Sequence, residues 1–171
     1  MSARYFLDTN VSIYRLEALD SRRFTVADRL IRQGVADEVA YVSFQVVQGC
    51  LNTVLRKAEI KLDADAARDY LDTVLAPLFK VPASLTLYHR ALELHARYRF
   101  SFYDSLVVAA ALEGGCTRLY SEDLQHGQRV GGLIVENPFF VPLGRLRLLS
   151  APAPTPSPAP AHGSARGPRS S

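Results

Sequence analysis

Residues 101–123, Ser-Phe-Tyr-Asp-Ser-Leu-Val-Val-Ala-Ala-Ala-Leu-Glu-Gly-Gly-Cys-Thr-Arg-Leu-Tyr-Ser-Glu-Asp, read as one helix followed by one strand, with acids at both ends. From Asp104 to Glu113 the apolar residues run almost unbroken and are rich in alanine, which predicts a helix buried on nearly every side and stopped by Gly114-Gly115. Thr117-Arg118-Leu119-Tyr120-Ser121 is short and β-prone. It ends in Glu122-Asp123, at the carboxyl end where an open α/β sheet places its ligand-binding residues. Each acid alone has a plain structural use. Ser101-x-x-Asp104 is close to a capping box, and an acid in a first helical turn gains roughly 0.3–1 kcal/mol from the helix dipole; Glu122-Asp123 suits a polar loop equally well.

Toward the N-terminus, Arg4-Tyr5-Phe6-Leu7 is a short apolar strand, and Asp8-Thr9-Asn10 ends it before Val11, Ser12, Ile13 and Tyr14 begin a helical pattern. Asp8 or Asn10 would cap that helix. Residues 23–35 form an amphipathic helix and Val39–Ser43 a second strand. In residues 44–57, Val46, Val47, Cys50, Leu51, Val54 and Leu55 share one side, while Gln45, Gln48, Gly49, Asn52 and Arg56 share the other. Gly49 thus falls mid-helix on the polar face, where glycine costs about 1 kcal/mol against alanine, with no sign in the sequence of a kink or a close backbone approach. Residues 63–77 predict a helix closing before Pro77, residues 79–81 a short strand, and residues 84–98 another helix. Gly131-Gly132-Leu133-Ile134-Val135 predicts a last strand, with a turn at Asn137-Pro138-Phe139.

This alternation implies an α/β fold with a mostly parallel central sheet flanked by helices. The domain is expected over residues 1–149. The Pro/Ala/Ser-rich stretch 150–171 lacks the apolar content to fold and is expected to be disordered. With 48% hydrophobic residues in a chain of 171, a sizeable core is affordable in one domain. No apolar run approaches a membrane span and the N-terminus is not signal-like, so a cytoplasmic protein is expected. The net charge is +3, and two of the positives, Arg166 and Arg169, sit in the C-terminal stretch. Charge alone therefore does not argue for nucleic-acid binding. Cys50 and Cys116 lie far apart in apolar patterns, as reduced core thiols do. His89 and His95, six residues apart on one helix, cannot chelate one ion; they and His126 read as surface or packing residues.

If strand 1 ends at Asp8 and a later strand ends at Asp123, both acids project from one edge of the sheet, with Asp104 on a neighbouring helix start. Two carboxylates about 5 Å apart repel by roughly 3 kcal/mol at an effective dielectric near 20, and a divalent cation removes the conflict. Oxygen-only ligands select a hard ion, Mg²⁺ or Mn²⁺. Such an ion suits phosphodiester hydrolysis because it lowers a water's pKa and offsets charge on the departing oxygen. A phosphoacceptor domain with Asp8 as nucleophile is a weaker alternative, since Asp8-Thr9-Asn10 is not Asp-x-Asp.

The strand with Asp8-Thr9-Asn10, then Val42-Ser43-Phe44-Gln45-Val46-Val47-Gln48, Phe102-Tyr103-Asp104-Ser105-Leu106 and Leu119-Tyr120-Ser121-Glu122-Asp123-Leu124 together resemble PIN-domain ribonucleases, and among them VapC-type toxins of bacterial toxin–antitoxin pairs. The likeness spans about residues 4–140 and implies a PIN-like three-layer fold and a Mg²⁺- or Mn²⁺-dependent endoribonuclease. It also implies a homodimer neutralised by a cognate antitoxin in the active-site groove. By the same resemblance Asp8, Asp104 and Asp123 would be metal ligands and catalytic residues with Glu122 beside them. Thr9, Asn10, Ser43 and Ser121 would be supporting hydrogen-bond partners, and Arg56, Lys57, Arg97 and Arg99 would steer RNA phosphates. One position departs from the pattern: Gly49 stands where the family carries a glutamate. The site could work with three acids and Glu122 as a partial substitute, or be impaired, or carry a substitution that spares the cell. The alternative function is a non-catalytic PIN-like module that binds antitoxin or RNA.

Overall fold

The computed structural model describes residues 3–17, 20–57 and 60–140. Strands β1 (Tyr5–Leu7), β2 (Ala40–Ser43), β3 (Phe79–Val81), β4 (Arg118–Tyr120), β5 (Arg129–Val130) and β6 (Leu133–Glu136) form one six-stranded sheet in the order β3-β2-β1-β4-β6-β5. All neighbours are parallel except β5 and β6. The three residues of β1 are all buried, as a central strand covered on both faces requires. From β1 the chain builds outward to β2 and β3, then returns to the other side of β1 as β4. The crevice of a parallel sheet opens at this reversal of strand order. There Asp8 N–H donates to Tyr120 O at 3.1 Å, lacing the carboxyl ends of β1 and β4 together.

Helices α1 (Thr9–Tyr14), α2 (Ser21–Ala36), α3 (Phe44–Arg56), α4 (Ala64–Tyr70), α5 (Ala76–Leu78), α6 (Leu85–Tyr98) and α7 (Phe102–Glu113) connect the strands. As the alanine-rich pattern predicts, α7 buries every residue from Ser105 to Ala111. Among the described residues no helix is long and apolar enough to cross a membrane. Burial pushes the thiols of Cys50 and Cys116 up to about 12, consistent with unreactive core cysteines. The expected boundary at residue 149 and the stretch 150–171 lie outside the described residues.

Two elements differ from the sequence reading. The helix of residues 63–77 does not stop before Pro77. It continues from α4 through a π-helical turn, Leu71–Leu75, into α5, with Ala76 N–H bonded to Leu71 O. The widened turn accommodates a proline that can neither donate to the helix nor approach the carbonyl four residues back. Gly131-Gly132 is likewise not the start of a strand. It forms the turn of a hairpin, pairing Val130 with Leu133 and giving β6 an antiparallel edge partner.

Gly34 marks the closest approach of α2 to the sheet. A Cβ there would lie 2.1 Å from Ala40 Cβ and 2.7 Å from the Tyr5 hydroxyl, which itself donates to Leu30 O at 2.7 Å. Gly34→Ala is expected to push α2 off β2 and cost about 1–3 kcal/mol, the usual range for overpacking. Urea unfolding monitored by circular dichroism would measure the loss.

Candidate active site

Asp8 is the N-cap of α1, and its Oδ1 accepts from Thr9 N–H at 2.6 Å. Its Oδ2 accepts from the Ser121 hydroxyl at 2.7 Å, across 113 residues of chain. Ser121 Oγ in turn accepts from Asp123 N–H at 3.2 Å, and Asn10 Nδ2 donates to Asp123 Oδ2 at 3.1 Å. One buried hydroxyl and one amide thus tie the end of β1 to the loop after β4. Asp104 sits in the first turn of α7, where Ser101 caps the helix by accepting from Asp104 N–H at 3.1 Å and donating to Asp104 Oδ2 at 2.6 Å. The capping reading of Asp8 and Asp104 is therefore correct. The bridge through Ser121 and Asn10 is what exceeds it, because capping needs no group from the far end of the chain.

Asp8 is only 7% exposed. Burial pushes its carboxyl up to about 6; hydrogen bonds from Ser121 and Thr9 oppose the rise, and the charges of Asp123 and Asp104 add to it. Among the described residues no Lys, Arg or His is ion-paired with Asp8, Asp104 or Asp123. The charges of Asp123 and Asp104 both disfavour the Asp8 carboxylate, an unfavourable arrangement on its own, and carboxylate oxygens are the ligand type that a hard divalent ion takes. Among the described residues, however, no three His, Cys, Asp or Glu form a group that could hold a metal ion as they stand. Ligands beyond these carboxylates would have to be water or substrate oxygens.

Glu122 is not with these acids. Its Oε1 accepts from Arg23 at 2.7 Å and its Oε2 from the Tyr14 hydroxyl at 2.6 Å, and Arg23 also bonds the Tyr14 oxygen. The guanidinium lies 4.6 Å from the Tyr14 ring centroid and 5.7 Å from that of Phe139. A cation held by two rings draws the Glu122 carboxylate to itself, so both its oxygens are engaged by Arg23 and Tyr14 in this arrangement. Arg23→Met is expected to cost about 1–2 kcal/mol in urea unfolding, since it strips a half-buried carboxylate of its charged partner.

The supporting residues divide. Ser121 and Asn10 make the contacts above. Ser43 is buried at the N-cap of α3 but makes no capping hydrogen bond, and its Oγ, like Asn10 Oδ1 and Gln45 Oε1, has no hydrogen-bond partner among the described residues. Of the cations expected to steer RNA, Lys57 pairs with Glu17, Arg97 stacks 5.3 Å from the Tyr98 ring centroid, and Arg56 and Arg99 are exposed.

Gly49 is a close approach after all. A Cβ there would lie 3.0 Å from both Thr9 Cγ2 and Thr9 Oγ1, so α3 passes tightly against the start of α1 beside Asp8. This contact is long-range in sequence, and helix periodicity could not reveal it. Gly49 also lines a cleft of about 610 Å³ with Thr9, Gln45, Gln48, Asn52 and Tyr103. The chain neighbours of Asp8 and Asp104 therefore wall the space into which a side chain at position 49 would extend. Phe102 and Tyr103, at 40% and 69% exposure, were not singled out by the sequence. Two consecutive aromatics directly before an acid, at the very start of their helix and ahead of its buried alanine-rich run, were the available signal.

A PIN-domain family model matches residues 5–131. Similar solved structures include VapC20 of Mycobacterium tuberculosis, a toxin that cleaves the sarcin-ricin loop, at 22% identity and a TM-score of 0.53, covering 70% of this chain and 89% of that one. VapBC2 of Rickettsia felis bound to promoter DNA matches at 18% identity and a TM-score of 0.56, covering 77% and 96% respectively. A toxin–antitoxin complex from Klebsiella pneumoniae matches at 17% identity and a TM-score of 0.55, covering 82% and 100%. At these identities the likeness is one of fold. No curated protein matches the chain.

Proposed function

The chain belongs to the PIN-domain family, and from that premise we propose that it is the toxin of a toxin–antitoxin pair, an endoribonuclease dependent on Mg²⁺ or Mn²⁺ and weakened by Gly49. The observation that carries the reading is the buried Asp8 carboxylate. It has no cationic partner among the described residues, is joined through Ser121 to the loop of Asp123 and is repelled by Asp104 and Asp123. Asp8, Asp104 and Asp123 would hold the ion, and bound there it supplies Lewis acidity toward phosphate oxygens. Ser121 and Asn10 hold Asp8 and Asp123 in register, Ser101 fixes Asp104, and Thr9 keeps α3 at its distance. Glu122, locked to Arg23, keeps the loop in place without joining the ligands. In this reading the partners are RNA and a cognate antitoxin, with a homodimer in the cytoplasm as the working form; the toxin–antitoxin complexes among the similar folds support the antitoxin partner.

A second reading is favoured by one observation, the open acid cluster with glycine at position 49: a non-catalytic module that keeps the fold and binds antitoxin or RNA. A cleavage assay on structured and unstructured RNA separates the two. The native chain in Mn²⁺ is expected to cleave slowly, with no cleavage in EDTA or by Asp104→Asn. Native and Asp104→Asn proteins that behave alike would leave only the binding module.

A further inference from the structure

The cleft beside Gly49 continues into a second one of about 230 Å³, and the two share Gln45, Gln48 and Tyr103. The second is walled by Phe44, Leu87, Tyr88 and Phe102. Tyr103 thus stands between an aromatic pocket and an amide-lined one, one residue before Asp104. Its ring meets that of Phe102 edge-on at 5.8 Å, and its carbonyl is held by Gln45 Nε2 at 3.2 Å. Tyr103 as a whole is 69% exposed and contributes little to the core. Among the described residues Gln45 Oε1 has no hydrogen-bond partner, and none that lines either cleft is charged.

We propose that these adjoining clefts are a nucleobase subsite, in which one unpaired base next to the scissile phosphate stacks on Tyr103 while Gln45, Gln48 and Asn52 bond its edge. This rests on the RNA reading above and deepens it, naming unpaired RNA as the substrate class. Bases are neutral, present a π-face to any aromatic ring and carry donor and acceptor edges that amide side chains match. The absence of side-chain charge suits a base and not a phosphate. A peptide's apolar side chains have a better seat nearby, in the pocket of about 220 Å³ lined only by Phe44, Val47, Leu71, Ala76 and Phe79, which offers no polar group.

The test is fluorescence anisotropy with the full chain in EDTA, using labelled oligo(A), oligo(U) and an RNA duplex as probes. Tyr103→Ala is expected to weaken single-strand binding about tenfold or more, in line with the loss of one base–aromatic stack. Tyr103→Phe should bind like the native chain, and Gln48→Ala should change the ratio of oligo(A) to oligo(U) affinity. Duplex binding should be unaffected by any of them. Unchanged single-strand affinity in Tyr103→Ala, or an equal loss for single strand and duplex, overturns the subsite and leaves the RNA reading standing. A Tyr103→Ala protein that changes from dimer to monomer in sedimentation with RNA affinity intact assigns the face to a second copy and also overturns it. If the native chain binds no RNA at all, the subsite fails together with the reading beneath it. Tyr103 is a surface residue, so each outcome is read on folded protein.

Discussion

Gly49→Glu is expected to raise Mn²⁺-dependent RNA cleavage by about a hundredfold or more, because on the proposed reading a carboxylate there would join the acids and correct a misplacement of the kind that costs that much. The substitution puts a carboxylate into the cleft walled by Thr9, Gln45, Gln48 and Tyr103. It also brings a Cβ to 3.0 Å from two atoms of Thr9, so the Thr9 side chain must give way by a few tenths of an ångström. Thr9→Ser removes one of those atoms and lets the other rotate, and the double variant is expected to exceed Gly49→Glu in both rate and Mn²⁺ affinity. Gly49→Ala is the control. It gains up to about 1 kcal/mol of helix propensity, meets the same crowding and supplies no ligand, so its cleavage rate should equal that of the native chain. A Gly49→Glu protein no faster than Gly49→Ala, with unchanged Mn²⁺ affinity by calorimetry, would remove position 49 from the metal site.

Asp8→Asn is expected to abolish cleavage and, in the metal-free protein at neutral pH, to raise stability. The Asp8 carboxyl titrates near 6 in the folded chain, against an ordinary value of 3.8. A raised value means the folded state favours the proton, so this group's contribution is fully present below about pH 4 and is lost as pH rises through 6. A displacement of roughly two pH units is worth on the order of 3 kcal/mol at full effect. Asparagine is neutral at every pH and still accepts from Thr9, so metal-free Asp8→Asn should be more stable than the native chain by about 2–3 kcal/mol at pH 7 and similar to it near pH 4. Mn²⁺ reverses the order at neutral pH, because an ion bound only by the native site stabilises only the native fold. Thermal melts at both pH values, with EDTA and with Mn²⁺, check all of this. A variant less stable than native at pH 7 in EDTA would show that the hydrogen bond from Ser121 outweighs the buried charge.

Much of the fold was legible because local chemistry set it. The alanine-rich run of α7 could bury itself nowhere but in the interior. The apolar triplet before Asp8 had the composition of a central strand. Pro77 misled because a proline reads as a stop, and the compensation, an extra residue in the turn before it, is made by backbone geometry with no side-chain signature. Gly131-Gly132 misled because two glycines before an apolar run resemble a strand start as much as a hairpin turn.

The sequence by itself determined which residues have the chemistry: three oxygen acids at the ends of secondary elements, and a glycine where its helix should not want one. Periodicity and capping are short-range, and they assign such residues to faces and ends. Only the tertiary structure decided which of them meet. Asp8 and Asp123 are linked through Ser121 because β1 and β4 are neighbours in the sheet, whereas Glu122, adjacent to Asp123 in the chain, belongs to Arg23 on α2. Gly49 lies where the Thr9 side chain crowds the position a Cβ would take. Contacts of this kind join segments dozens to more than a hundred residues apart, and packing, which sums over the whole fold, is what selects them.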